Sequence, residues 1–170
     1  ETGFNCIETD IHWTKDNVPI LLHDEEIDRI SNGTGMPGDM TLAEMQSYSY
    51  HCPQQFGEKY FPTPLLTAEE YLLKCKERNF LCELDMAGRV QDIEKLNDVV
   101  RLVKKCGMLQ TTMIKLIPED IEKMDKSIPI FVGVSTAMTP RNKDQVIEKA
   151  AEYKKWALKV AISLKNDDVT

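Results

Sequence analysis

The sequence lacks several features that would assign a function directly. It has no run of about 18 apolar residues, so we expect no transmembrane helix. It has no excess of positive charge, because 21 Lys and Arg stand against 28 Asp and Glu for a net charge of −7. Nucleic-acid binders depend on cations that neutralise phosphates, so we expect no nucleic-acid partner. The nucleotide-binding P-loop and the zinc-protease HExxH motif are also absent.

Cysteine is present but shows no pairing pattern. The number of cysteines is odd, and they form neither a CxxC motif nor a Cys/His cluster with zinc spacing. They are Cys6, Cys52, Cys75, Cys82 and Cys106. This usage is typical of reduced thiols that serve as small buried residues, and it weakly favours a cytoplasmic compartment. The sequence starts at Glu1 without a signal-like segment, so the localisation is left open.

Short apolar strands alternate with helices along most of the chain. The segments FNCIETDIHW, VPILLHD, FLCELDM, TTMIKL, IPIFVGVST and ALKVAISL read as strands. Capping-box spacing at Thr41 with Glu44, and at Thr67 with Glu70, predicts two helix starts. Gly107 closes a helical stripe that begins at Ile93, and a later helix is expected from Pro140 to about Lys155.

This order of strands and helices predicts an α/β domain with a parallel sheet of βα units. Two closures fit the local signals: an open doubly wound sheet, or a (β/α)8 barrel. A full barrel typically needs about 250 residues, and this chain has 170.

Acidic residues inside two of the strands need an explanation. Glu8 and Asp10 are two residues apart and project from one face of the first strand, and Glu83 with Asp85 repeats the arrangement. Burying unpaired carboxylates side by side is costly, and a hard divalent cation relieves that cost because it prefers oxygen ligands. The alternative is that these acids are solvated or paired with Lys or Arg.

His23 follows the second strand. If Asp16 and Asn17 form a two-residue hairpin turn, the register places His23 directly opposite Asp10. An imidazole beside a carboxylate or metal site can carry out general acid–base chemistry near neutral pH.

The stretch IETDIHWTKDNVPILLHDEEIDR resembles the signature of the glycerophosphodiester phosphodiesterase family. The shared elements are Glu8-x-Asp10, the turn around Thr14 to Asn17, His23-Asp24 and Arg29. The NGTG loop, the TLAEM helix start and the PLLTAEEYL segment follow in the family's order. The resemblance extends from about Gly3 to Met86.

The resemblance implies a partial TIM (β/α)8 barrel of the phospholipase C-like phosphodiesterase type. It implies an enzyme, a phosphoric diester hydrolase, that converts a small glycerophosphodiester to glycerol 3-phosphate and an alcohol. It implies one divalent cation, Ca²⁺ or Mg²⁺, held by Glu8, Asp10 and Glu83, and it implies His23 as a catalytic acid–base group.

The sequence departs from the family pattern in two ways. The family's His-Arg-Gly and Glu-Asn-Thr segments are absent. We therefore expect residues 1–170 to be a single domain that lacks the first barrel strand and the C-terminal βα units, and to be nearly inactive alone. Asp85 also stands where the family usually has Lys. Lys115 in the next strand could restore that charge as a substrate-binding residue.

Three other interpretations fit some of these residues. A related phospholipase-type phosphodiesterase would use the same acids and histidine. A non-catalytic binding module derived from the barrel is compatible with Asp85 and with the missing His-Arg-Gly. An open flavodoxin-like domain explains the βα order but not Glu8, Asp10, His23 and Glu83 together. The sequence does not indicate the head group, the native metal or the oligomeric state.

Overall fold

The structure is a computed structural model that describes residues 5–51, 57, 59–90, 92–136 and 142–164. The chain divides into two compact units, one made of Glu1–Glu8 with Leu72–Thr170 and the other of Thr9–Tyr71. Strand β1 (Cys6–Trp13) begins in the first unit and ends in the second. No helix in the described part of the chain is both long and apolar enough to cross a membrane.

The Thr9–Tyr71 unit contains the second half of β1, strand β2 (Pro19–Leu21) and helix α1 (Leu42–Gln46). Six of its buried side chains form one hydrophobic cluster, namely Ile20, Leu22, Ile27, Met45, Tyr50 and Leu65. The predicted capping box at Thr41 is confirmed: its Oγ1 accepts a hydrogen bond from the N–H of Glu44, whose carboxylate accepts one from the N–H of Thr41.

The β1–β2 hairpin corrects the predicted register. Ile11 pairs with Leu21, one residue away from the expected register, because the loop has three residues instead of two. Thr14 closes this longer loop: its N–H donates to the carbonyl of Val18 at 3.1 Å, and its Oγ1 accepts the N–H of Val18 at 3.0 Å. Asn17 supplies the left-handed residue, with φ of 61°.

The consequence for the site is that His23 does not lie directly opposite Asp10. The carbonyl of Asp10 instead accepts a hydrogen bond from the N–H of Leu22 at 3.2 Å.

The second capping box, at Thr67, is confirmed at the start of helix α2 (Ala68–Glu77). The remaining elements alternate as the sequence predicts. They are β3 (Leu81–Asp85), α3 (Ile93–Lys105), β4 (Thr112–Leu116), α4 (Pro118–Lys123), β5 (Phe131–Thr136), α5 (Lys143–Tyr153) and β6 (Lys159–Leu164). The predicted start of α5 at Pro140 lies outside the described residues.

The end of α3 confirms the role of Gly107. The N–H of Gly107 donates to the carbonyl of Lys104 at 2.9 Å, and the N–H of Met108 donates to that of Val103 at 3.0 Å. Gly107 has φ of 69°, which is the left-handed conformation that this C-terminal motif requires.

In the unit that includes Leu72–Thr170, the strands lie in the order β1, β3, β4, β5, β6. Strands β3 to β6 are parallel, and among the described strands the sheet is not closed. Alternation gives β3 and β4 two different faces. Cys82, Leu84 and Ile114 are buried on one face, while Glu83 and Lys115 are half-buried on the other.

The described cysteines are reduced thiols. Cys75, Cys82 and Cys106 are buried, as the sequence predicts, whereas Cys6 is exposed. Cys52 lies outside the described residues.

Candidate metal centre and active site

The half-buried face of β3 and β4 carries two carboxylates and one ammonium group. The parallel register places Asp85 beside Lys115. The Lys115 Nζ atom donates to Asp85 Oδ2 at 2.6 Å and lies 3.8 Å from Glu83 Oε1. The three side chains are 16–20% exposed. Lys115 is therefore a partly buried cation held between two acids.

Electrostatics keep this lysine protonated. Burial opposes the charged form, but the hydrogen bond and charge of Asp85, together with the charges of Glu83 and Glu8, outweigh it and raise the pKa of Lys115. Asp85 is held from its other oxygen as well, because Oδ1 accepts the N–H of Ala87 at 3.0 Å. The backbone N–H of Ala87, just after β3, therefore helps to hold the Asp85 carboxylate in place for the ion pair.

Glu8 on β1 completes a group of carboxylates. One of its oxygens lies within 4.8 Å of an oxygen of Asp85, and within 4.8 Å of an oxygen of Asp10, its neighbour on β1. Two ligands at the usual distance from Ca²⁺ are at most about 5 Å apart. These all-oxygen donors thus fit a hard divalent cation.

The composition of this group differs from the sequence expectation in one respect. Among the described residues, the group includes Asp85 and does not include Glu83. The sequence left Asp85 as either an extra ligand or the partner of a cation. Glu83 as a metal ligand therefore stays a prediction. The signal for Asp85 was already in the sequence, since alternation puts it on the same face as Glu83.

His23 lies in the loop after β2 and contacts the next residue. Its Nδ1 atom is 2.8 Å from Asp24 Oδ1. Asp24 also accepts two hydrogen bonds from Arg29, from Nε at 2.7 Å and from Nη2 at 2.8 Å. These bonds from Arg29, followed by the one from His23, hold the pKa of Asp24 well below its usual range.

The comparison with family models identifies the group to which these residues belong. The glycerophosphoryl diester phosphodiesterase family matches residues 1–168. The chain belongs to this family. The resemblance seen in the sequence is thereby confirmed, and it extends well beyond Met86, where the motif evidence ends.

Curated relatives show moderate similarity. Glycerophosphodiester phosphodiesterase 1 of Homo sapiens is 26% identical over 141 residues, which is 83% of this chain and 42% of that protein. A glycerophosphodiester phosphodiesterase of Caldanaerobacter subterraneus is 33% identical over 90 residues, which is 53% of this chain and 36% of that protein. The chain thus spans about two fifths of the length of the curated relatives that it matches.

Solved structures of the glycerophosphodiester phosphodiesterase family share the fold. A phosphodiesterase from Oleispira antarctica, solved in complex with the product sn-glycerol-3-phosphate, superposes with a TM-score of 0.71 at 17% identity, covering 97% of this chain and 74% of that one. A protein named as a glycerophosphodiester phosphodiesterase from Galdieria sulphuraria gives a TM-score of 0.68, also at 17% identity, with 92% and 62% coverage. The fold of this family member is therefore a partial TIM barrel, and the open doubly wound alternative is wrong.

Proposed function

We propose that the protein containing this chain hydrolyses glycerophosphodiesters to glycerol 3-phosphate and an alcohol in a reaction that depends on a divalent cation. The observation that carries this proposal is the family match over residues 1–168, joined to a carboxylate group on β1 and β3 that suits a hard cation. The Oleispira phosphodiesterase bound to sn-glycerol-3-phosphate supports the choice of product.

Glu8, Asp10 and Glu83 are the proposed ligands of Ca²⁺ or Mg²⁺, as the resemblance implies, and Asp85 is a fourth candidate. When bound, such a cation supplies a Lewis acid for a phosphodiester oxygen. The chain's own contribution is a set of acidic side chains on adjacent strands. Three or four carboxylates around one divalent cation leave a net negative charge that repels a phosphodiester, so a further positive group would help to hold the substrate anion.

Lys115 is the proposed source of that positive charge. Its ammonium group is protonated, 20% exposed, and on the same face of the sheet as Glu83 and Asp85. A partly buried cation interacts with a phosphate oxygen more strongly than a solvated one does. In this proposal Asp85 holds Lys115 in position, so that an acid on β3 and a lysine on β4 replace the single lysine usual in the family.

His23 is the proposed acid–base group. Catalysis through a neighbouring hydroxyl or a water molecule needs a group that takes up and returns a proton, and an imidazole does this near neutral pH. His23 is 76% exposed, so solvent and small substrates can reach the ring.

The test is the release of glycerol 3-phosphate from glycerophosphocholine and glycerophosphoethanolamine by the full-length protein, with Ca²⁺, Mg²⁺ or EDTA. We expect metal-dependent release that falls about 100-fold or more in His23→Gln, the usual contribution of a general acid–base group, and in Glu8→Gln. Matched controls are His51→Gln and Glu25→Gln, which make the same chemical changes at residues outside the proposed site. Turnover that is indifferent to EDTA and to both site variants would contradict the proposal.

The same assay separates the two alternatives that the sequence left open. Release only from larger lipid substrates would indicate a phospholipase-type phosphodiesterase. Binding of glycerophosphodiesters by the folded protein without any turnover, with every metal tried, would indicate a binding module. The residues 1–170 chain alone is expected to be nearly inactive, and turnover by it at the full-length rate would refute that expectation.

A further inference from the structure

In the loop after β2, hydrogen bonds join the side chains of His23, Asp24 and Arg29 in a continuous series. The proposed function gives a role only to His23. His23 contacts Asp24 through Nδ1 and Oδ1 at 2.8 Å. Arg29 holds both oxygens of Asp24, with Nε at 2.7 Å from Oδ2 and Nη2 at 2.8 Å from Oδ1. This is the two-point geometry in which a guanidinium fixes the plane of a carboxylate.

The chemistry of Asp24 determines the direction of the hydrogen bond to His23. Because Arg29 and then His23 lower the pKa of Asp24 far below its usual range, the carboxyl group is ionised at every pH at which an imidazole is neutral. An ionised carboxylate can only accept hydrogen bonds. The Nδ1 atom of His23 must therefore donate and carry the ring proton, which makes Nε2 the basic nitrogen of the neutral ring.

Buried residues and hydrogen bonds hold the loop on both sides of Arg29. Ile27 is fully buried, and its N–H donates to the carbonyl of Gly35 at 3.0 Å. Ser31 is also buried, and its Oγ donates to the carbonyl of Ile27 at 2.9 Å. Arg29 lies between these two residues in the sequence, so its guanidinium reaches Asp24 from a backbone that is held on both sides.

Stability alone does not account for this arrangement. Arg29 and His23 are 51% and 76% exposed, and ion pairs between solvent-exposed side chains contribute little to folding. The ion pair can instead orient His23. Because Arg29 fixes both oxygens of the Asp24 carboxylate, the imidazole has a defined direction in which to form its hydrogen bond.

We infer that Asp24 and Arg29 are positioning residues that hold His23 with its proton on Nδ1, so that Nε2 is the nitrogen that exchanges protons with the substrate. The substrate part of this inference rests on the proposed function. The part that concerns the position of the ring proton does not, because it follows from contacts within the loop.

The experiment is ¹⁵N NMR of the histidine side chains in the full-length protein, at a pH where the imidazole is neutral. The His23 signals are assigned by their loss in His23→Gln. We expect the Nδ1–H tautomer to predominate, and Asp24→Asn to reduce its ratio to the Nε2–H tautomer about tenfold, the factor that a hydrogen bond to a charged group commonly supplies. An amide can donate or accept, so it no longer imposes one tautomer.

Glu26→Gln is the matched control, since it removes one negative charge from the same loop and keeps Asp24. Its tautomer ratio should equal that of the parent. Unchanged signals from the other histidines show that Asp24→Asn is folded. A predominantly Nε2–H ring in the parent, or an unchanged ratio in Asp24→Asn, would overturn the inference. Arg29→Gln is expected to lower the tautomer ratio about two- to threefold, because the hydrogen bonds that fix the Asp24 carboxylate are lost. A ratio equal to that of the parent protein would show that Arg29 is not a positioning residue.

Turnover provides the second measurement. We expect Asp24→Asn to lower kcat at least about tenfold with little change in KM, as when a catalytic histidine is left in the wrong tautomer, and Glu26→Gln to leave both unchanged. If the parent protein is inactive but its tautomer ratio responds as expected, the proposed function fails and the positioning stands. If the parent is active and the ratio does not respond, the positioning fails alone.

Discussion

Replacing Lys115 by Met removes the ammonium group between Asp85 and Glu83 and keeps most of the apolar side chain. The Nζ atom is 2.6 Å from Asp85 and 3.8 Å from Glu83. At an effective dielectric constant of about 20, the attraction to Asp85 alone is about 6 kcal/mol. Desolvation of the two charges offsets most of that gain, but deleting one partner leaves the other uncompensated, so we expect the free energy of unfolding to fall by about 2 kcal/mol.

A divalent cation should recover this loss if the carboxylates bind one. The assay is urea unfolding followed by circular dichroism, in EDTA and in excess Ca²⁺ at matched ionic strength. A ligand at about 100 times its Kd stabilises the folded state by about 2.7 kcal/mol. We expect Ca²⁺ to stabilise the Lys115→Met variant more than the parent, because the ammonium no longer occupies the same oxygens. The control is Lys155→Met, which removes an exposed lysine after α5.

Two results would refute this reasoning at different steps. Equal stability of Lys115→Met and the parent in EDTA would show that the ion pair contributes nothing to folding. A loss of stability in EDTA that Ca²⁺ does not reduce would show that the acids on this face of the sheet do not bind that ion.

Three further changes test other parts of the structure by the same unfolding measurement. Burial raises the pKa of Asp120, so its ionisation destabilises the folded state. Asp120→Asn should therefore gain stability relative to the parent as the pH rises above about 4, and a difference that is constant with pH would contradict this. Thr67→Ala should lose about 1 kcal/mol because the capping box is lost, whereas Thr67→Ser should be close to the parent. A side chain at Gly133 would meet Met113 Sδ at 3.0 Å and Lys115 Cα at 3.3 Å, so Gly133→Val should cost about 1–3 kcal/mol and Gly133→Ala less; a fully stable valine variant would show that β4 can move away.

Local rules were enough to predict most elements of this fold. The capping box at Thr67 and the C-terminal glycine at Gly107 each depend on residues only a few positions apart, and both are present as the sequence predicts. The acid pair Glu83 and Asp85 also follows from local alternation on β3. The resemblance of the first half of the chain to a family supplied the barrel, which periodicity could not distinguish from an open sheet.

The hairpin shows where a local rule fails. The Asp16–Asn17 pair suits a two-residue turn, but the Thr14 hydroxyl accepts the Val18 N–H and favours a loop of three residues. A shift of one residue moves every cross-strand neighbour. The prediction that His23 lies opposite Asp10 is therefore wrong. The argument for an acid–base role from that register is lost with it, and the role now rests on the resemblance to the family motif.

The pairing of Asp85 with Lys115 could not have been derived from sequence alone, because the two residues are 30 positions apart and meet only through the register of β3 on β4. Neither residue, considered alone, indicates that register. An acid at position 85, considered by itself, looks like the loss of a phosphate-binding charge. Beside Lys115 it is the hydrogen-bonded partner of a cation on the next strand. The two positions are therefore best considered as one unit, and a change at either should alter the charge that this face of the sheet presents to an anion.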